Sequence, residues 1–192
     1  MKVVTLITSS NRNGFTKQIV DSLTSGIEDA EGTNEVLFFA DYDIKFCLGC
    51  GKCKEGNGCI LDDDFNDIIK KIKDADYFIF TAPIFWNDIA GHSKLFLDRL
   101  SSLSYSPELM MDSKCCLILT HFSKNINSFV IENTHRCLAS ANFKVNKILD
   151  VGNLMDHRVL DQFELEEYED IGFELEEYEV IPHKLDLESA TL

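Results

Sequence analysis

The chain has 192 residues, 45% of them apolar and 27% charged, which excludes a disordered polymer and suits one domain with a substantial core. Its net charge of −15 is uneven, with ten acidic residues and no Lys or Arg between Asp161 and Glu179; such a surface repels nucleic-acid phosphates and anionic lipid headgroups, so neither is an expected partner. No apolar run is long enough to cross a bilayer, Met1–Thr8 reads as a buried strand rather than a signal peptide, and seven cysteines without a secretion signal point to the reducing cytoplasm.

Apolar runs predict strands over Lys2–Ile7, Glu35–Phe39, Tyr77–Phe80, Cys115–Leu119 and Lys144–Leu149. Helical stripes follow them over Thr16–Ile27, Asp64–Ile72, Gly91–Leu103, Ser128–Ala141 and Phe163–Glu179. In the second helix Phe65, Ile68, Ile69 and Ile72 share one face, with Asp62 and Asp63 as candidate N-caps. In the last, Leu165, Tyr168, Ile171, Leu175 and Tyr178 form a stripe, and Phe163–Glu169 recurs as Phe173–Glu179; a period this short reads as a duplicated acidic surface helix, not a solenoid. Pro182 stops that helix, so the expected layout is a single domain over 1–180 and a tail over 181–192.

Alternating strands and helices, with buried strands written as continuous apolar runs, predict an α/β protein with a parallel sheet covered on both faces. Five units fit the flavodoxin-like three-layer, doubly wound fold with strand order 2-1-3-4-5, whose ligand crevice lies at the carboxyl ends of strands 1 and 3.

Two segments fall at that crevice. Thr8-Ser9-Ser10-Asn11-Arg12-Asn13-Gly14-Phe15-Thr16 brings hydroxyls, a turn and free amides to a helix start, which suits a phosphate dianion; the plainer reading is a polar connection with Ser10 or Asn11 as cap. It is neither a Walker A loop nor a G-x-G-x-x-G turn. Thr81-Ala82-Pro83-Ile84-Phe85-Trp86-Asn87-Asp88 leaves the third strand with an aromatic pair at the crevice mouth, against which a flat ring can rest; ordinary core packing is the alternative for either aromatic alone.

Between them, Cys47, Cys50, Cys53 and Cys59 follow a C-x2-C-x2-C-x5-C spacing in a glycine-rich loop. One short loop can wrap four thiolates around an iron–sulfur cluster or a zinc ion, or the thiols can remain free or reversibly oxidised. Cys115, Cys116 and Cys137 read as small buried apolar residues. His92 and His121 lie near the crevice with capping or solvated roles as the default, His135, His157 and His183 belong to no catalytic motif in the sequence, and Asp98 with Arg99 reads as a structural or subunit-contact pair.

Taken together, Thr8–Thr16, the cysteine loop, Asp63-Asp64-Phe65, Pro83–Trp86 and Gly91–Arg99 resemble, in order and spacing, the NAD(P)H-dependent FMN reductases and iron-sulfur flavoproteins of the flavodoxin superfamily. The resemblance implies an FMN-dependent NAD(P)H oxidoreductase, using NADH or NADPH, that works as a homodimer or higher homo-oligomer. It implies phosphate contacts from Ser9, Asn11, Arg12, Gly14, Phe15 and Thr16, and ring contacts from Pro83, Ile84, Phe85, Trp86 and Asn87. A third loop, Thr120-His121-Phe122-Ser123, would close the ring's other edge. The iron-sulfur relatives imply the alternative of an electron carrier in which Cys47, Cys50, Cys53 and Cys59 ligate one 4Fe-4S cluster. No side-chain acid, base or nucleophile is required, so no catalytic residue is expected. Outside this family, a zinc-stabilised interaction module would use the cysteine loop and acidic helix for docking. A response-regulator domain is disfavoured, because Thr8-Ser9-Ser10 and Thr81-Ala82-Pro83 stand where it needs acidic residues.

Overall fold

The structure is a computed structural model, and it describes residues 1–124, 126–152, 154 and 160–182. Its strands are β1 (Lys2–Ile7), β2 (Thr33–Phe38), β3 (Tyr77–Phe85), β4 (Asp88–Ile89), β5 (Lys114–Thr120) and β6 (Lys144–Val151). The helices are α1 (Phe15–Asp29), α2 (Phe65–Lys73), α3 (Gly91–Leu100), α4 (Ser128–Ser140) and α5 (Gln162–Phe173). The parallel path runs β2-β1-β3-β5-β6, with β4 antiparallel to the end of β3. Leaving out β4, this is the expected flavodoxin-like order.

Alternation along the strands creates two cores. Val4, Leu6, Phe78 and Phe80 face α2, α3 and α4, where Phe65, Ile68, Ile72, Phe96 and Leu138 are buried. Val3, Ile7, Tyr77 and Ile79 face the opposite layer, built from Ile19, Val20, Leu23 and Ile27 of α1 and Ile171 of α5. Cys115 and Cys116 divide between the two cores and are fully buried, and burial pushes the Cys116 thiol up to about 12. Cys137 is only half-buried.

Three departures have identifiable causes. First, β3 runs on to Phe85, with Pro83 in register with Thr120, and then reverses through Trp86 (φ 52°) and Asn87 (φ 67°) into β4. Two consecutive left-handed residues make a tight hairpin, but the pair lacks the usual glycine, so nothing local announces it. Second, β6 carries a bulge: Cys115 pairs with Val145 but Cys116 with Lys147, so Asn146 is skipped. Its buried side chain accepts from the Tyr77 hydroxyl and donates to the carbonyls of Leu175 (3.0 Å) and Tyr178 (3.3 Å). Third, α5 stops at Phe173 rather than Glu179: beyond it Asn146 takes the carbonyls of Leu175 and Tyr178 and the Ile181 amide donates to the Val145 carbonyl, while the Glu177 amide closes one turn on the Glu174 carbonyl. The second copy of the acidic repeat is therefore a turn beside β6. The expected tail over 181–192 falls mostly outside the described residues, as do His157 and His183.

The α1 and α5 helices meet backbone to backbone. A Cβ placed on Gly26 would lie 1.9 Å from the Glu169 carbonyl oxygen, and one on Gly172 would lie 2.2 Å from that of Leu23. Neither atom belongs to a flexible side chain, so the helices would have to separate. Gly172→Ala is therefore expected to lower stability by about 1–3 kcal/mol, the usual cost of overpacking, read as a reduced urea midpoint with an unchanged slope.

Candidate functional site

At the carboxyl ends of β1, β3 and β5 lies a cavity of about 360 Å³. Of the residues expected to contact a ligand, Ser9, Asn11, Gly14, Phe15, Pro83, Ile84, Phe85 and Thr120 line it. Local bonding shapes the phosphate-loop side: Ser9 Oγ accepts from the Asn11 amide and Asn11 Oδ1 from the Asn13 amide (3.1 Å). Gly14 is the N-cap of α1, and no side chain caps the helix there; neither Ser10 nor Asn11 does. A Cβ on Gly14 would sit 3.1 Å from the Asn11 side chain, so glycine keeps this cradle open. An uncapped helix start with adjoining hydroxyl and amide groups has the donor set for a phosphate.

The remaining expected residues are placed differently. Thr16 is buried and its hydroxyl bonds Thr120 Oγ1 at 3.1 Å, tying α1 to β5. Arg12 pairs with Asp41 and lies over the Phe38 ring, 4.7 Å from its centroid. Trp86 sits at the hairpin tip, 98% exposed, with Asn87 beside it. Thr8 turns inward, bonding the Thr81 carbonyl (2.6 Å) and Ser93 Oγ (2.5 Å).

The lining also includes Asn13, Gln18, His121, Phe122 and Leu154. Gln18 was legible in principle, since it lies one helical turn after Gly14. Leu154 had no local signal; it arrives through the chain path after β6. His121 is neither a cap nor solvated. It is buried, with Nε2 2.6 Å from Asp150 Oδ1 and Nδ1 3.2 Å from Ser123 Oγ. His92 lies 3.3 Å from Ser10 Oγ and packs near the Phe39 ring.

A second cavity, of about 200 Å³, is lined by Cys47, Cys50, Cys53 and Cys59 together. Gly51 and Gly56 bracket the short 3₁₀ turn Lys52–Glu55, both left-handed (φ 71° and 86°), so the loop folds back on itself. It is pinned by Asn66 donating to the Cys59 carbonyl (3.1 Å) and by the Gly58 amide donating to Ser106 Oγ (3.0 Å). Among the described residues, no group of three or more His, Cys, Asp or Glu side chains stands close enough to hold a metal ion. Four sulfur donors around one cavity are nonetheless the donor chemistry that an iron–sulfur or zinc centre takes.

Arg99 lines the same cavity with a fully buried side chain. It does not pair with its neighbour Asp98, which faces Lys94 on the surface. Its Nη1 donates to Asp63 Oδ2 (2.5 Å) and the Lys45 carbonyl (2.7 Å), and its Nη2 to Asp63 Oδ1 (3.0 Å). The guanidinium also stacks 4.5 Å from the Phe65 centroid. Burial by itself would raise the Asp63 carboxyl, but hydrogen bonds from Arg99 and from the Lys45 and Phe65 amides outweigh it and hold it below the usual carboxylate range. The N-cap of α2 is Asp64, not the expected Asp62 or Asp63, and its side chain makes no capping bond; Asp63, one residue earlier, accepts from the Phe65 amide (3.2 Å), so one carboxylate ties helix, loop and α3 together.

A family model for NADPH-dependent FMN reductase matches residues 1–148. The chain belongs to that family. An iron-sulfur flavoprotein of Methanocaldococcus jannaschii is 31% identical over 99 residues, covering 52% of this chain and 51% of the relative. One from Archaeoglobus fulgidus is 24% identical over 109 residues, covering 57% and 50%. The chain thus spans about half the length of the curated relatives it matches. Among solved structures, an NAD(P)H:quinone oxidoreductase from Methanothermobacter marburgensis superposes with a TM-score of 0.72 at 17% identity, covering 92% of this chain and 97% of the other. That likeness establishes the flavodoxin-like fold of this FMN reductase family member.

Breaking the buried pair in this reductase-family chain has a defined cost. Asp63→Asn leaves Arg99 charged and uncompensated, so a loss of about 3–5 kcal/mol is expected in chemical denaturation. Because the Asp63 pKa is depressed in the folded protein, its contribution is present above the unfolded carboxyl value near ~4. It is lost as pH falls through the lower folded value, so the gap between wild type and variant should close only in strong acid.

Proposed function

We propose that the chain is an FMN-dependent oxidoreductase that takes reducing equivalents from NADH or NADPH. The carrying observation is the single cavity in which the uncapped start of α1 and the Ser9–Asn11 turn share a wall with Pro83, Ile84, Phe85 and Phe122. Bound FMN would supply the redox chemistry, accepting a hydride equivalent from the nicotinamide and passing electrons to an acceptor. The protein's part is positional. Ser9, Asn11 and the amides of Phe15 and Thr16 hold the phosphate, while Arg12 stays paired with Asp41 outside the cavity lining. Pro83, Ile84 and Phe85 present an apolar face and exclude water from one side of the ring, while Phe122 and Thr120 close another edge. His121, fixed by Asp150, borders the same space. Exposed Phe85, Trp86 and Phe122 at the rim support a homodimer in which a second copy covers the cavity and meets Trp86 and Asn87. No helix among the described residues is long and apolar enough to cross a membrane, which accords with a cytoplasmic location.

A second reading is favoured by the four cysteines lining one cavity: an electron carrier with a 4Fe-4S cluster on the Cys47–Cys59 loop. A bound cluster would supply one-electron transfer, and the two iron-sulfur flavoproteins matched above support the reading.

Protein purified without oxygen should show flavin absorbance and release FMN on denaturation; a colourless protein that also fails to bind added FMN overturns the first reading and favours the zinc-stabilised module. Ser9→Ala combined with Asn11→Ala should weaken FMN binding about a hundredfold, since each hydrogen bond to a charged group contributes about 1.5 kcal/mol. Flavin fluorescence quenching measures this, and unchanged affinity would move the phosphate elsewhere. Cys53→Ala should abolish bound iron and acid-labile sulfide while leaving FMN affinity intact; retained iron would refute the ligation.

A further inference from the structure

The arginine beneath the cysteine loop carries more hydrogen-bonding capacity than its partners use. Asp63 and the Lys45 carbonyl occupy Nη1 and Nη2, yet Nε is buried with no hydrogen-bond partner. A buried, unpaired donor on a charged group is costly and rare. The same side chain lines the four-cysteine cavity together with Cys59; burial works against its charge, and Asp63 and then Cys59 help to hold the guanidinium protonated. The planar fork explains why arginine stands here: it can chelate Asp63 with its outer nitrogens while Nε remains available, which lysine cannot do. If Arg99 served only to hold α3 against the loop, Asp63 would suffice as its partner and the orphaned Nε would have no purpose.

We propose that Arg99 is a positioning residue for the four-cysteine centre, donating through Nε–H toward the Cys59 sulfur and holding a fixed positive charge against the thiolate cage. The inference rests on the reading of the Cys47–Cys59 loop as a cluster site. Four thiolates make such a centre anionic, and uptake of one electron makes it more so. A hydrogen bond to sulfur favours the more negative state, and of the buried ion pair it is the cation, not Asp63, that lines the cavity, so Arg99 raises the reduction potential. Lys52 and Lys54 carry the same sign but are exposed or screened, with Lys52 paired to Glu55 at 3.0 Å; their influence through solvent is weak.

The test uses the full chain, isolated without oxygen, loaded with FMN, ferrous iron and sulfide, and titrated against redox dyes with the cluster followed by electron paramagnetic resonance. Two variants are compared with wild type: Arg99→Lys, which keeps the charge and the Asp63 pair but loses Nε, and Arg99→Met with Asp63→Asn, which removes both charges at once. At the potential where the wild-type centre is half reduced, the double variant should show about a tenfold lower ratio of reduced to oxidised centre, a shift of about 59 mV for a one-electron couple. Arg99→Lys should shift the same way by less. Loss of iron uptake in a variant that still binds FMN with wild-type affinity also supports the role. Iron retained with an unchanged ratio in both variants overturns it, and if the double variant does not fold, an unchanged ratio in Arg99→Lys alone does so. A wild-type protein that takes up no iron and sulfide defeats the cluster reading first, and the role of Arg99 with it.

Discussion

Reversal of the winding direction between β1 and β3 organises this molecule. The connection from β1 through α1 to β2 covers one face of the sheet, while the later crossovers through α3 and α4 cover the other. The loops that leave β1 and β3 therefore diverge, and no helix can fill the space between them. Everything bearing on ligand binding follows from that gap. The Ser9–Asn11 turn and the bare start of α1 form one wall, and the extension of β3 through Pro83 forms another. The buried bonds of Thr8 to Thr81 and Ser93 tie the end of β1 to β3 and α3.

The cysteine loop uses a different kind of support. It has little regular structure beyond one 3₁₀ turn, and it could not hold its shape through its own backbone. Its anchorage comes from the buried Asp63–Arg99 pair, which reaches the loop through the Lys45 carbonyl and amide. Buried ion pairs are weak sources of net stability but strong sources of definition, since few other arrangements satisfy both charges. Here the pair fixes α3, the start of α2 and the loop relative to one another. The loop itself is exposed at Cys47 and Cys50.

The C-terminal region shows how tertiary contacts override a strong local pattern. Two near-identical acidic segments have equal claim to helix, yet only the first is helical. Asn146 on the β6 bulge takes the carbonyls of Leu175 and Tyr178, and the close crossing at Gly26 and Gly172 leaves no freedom to shift α5 along α1. Sequence periodicity reports what a segment can do alone, and these carbonyls were satisfied by something else.

Strand order, the two-layer burial of α1 to α4 and the crevice at β1 and β3 were legible from the sequence. Strands buried on both faces are written as continuous apolar runs and helices as period-3.6 stripes, and the order follows from the doubly wound pattern that such units fit. The wrapping capacity of the four cysteines was legible for the same reason, because spacing along a short loop limits how far apart the thiols can be. What only the tertiary structure decided was partnership across distance: Arg99 with Asp63 rather than Asp98, Thr16 with Thr120, His121 with Asp150, and Leu154 at the cavity wall. The β3 hairpin through Trp86 and Asn87 belongs with these. Such choices turn on which surfaces come together when the sheet twists and the helices pack, and no local pattern encodes that.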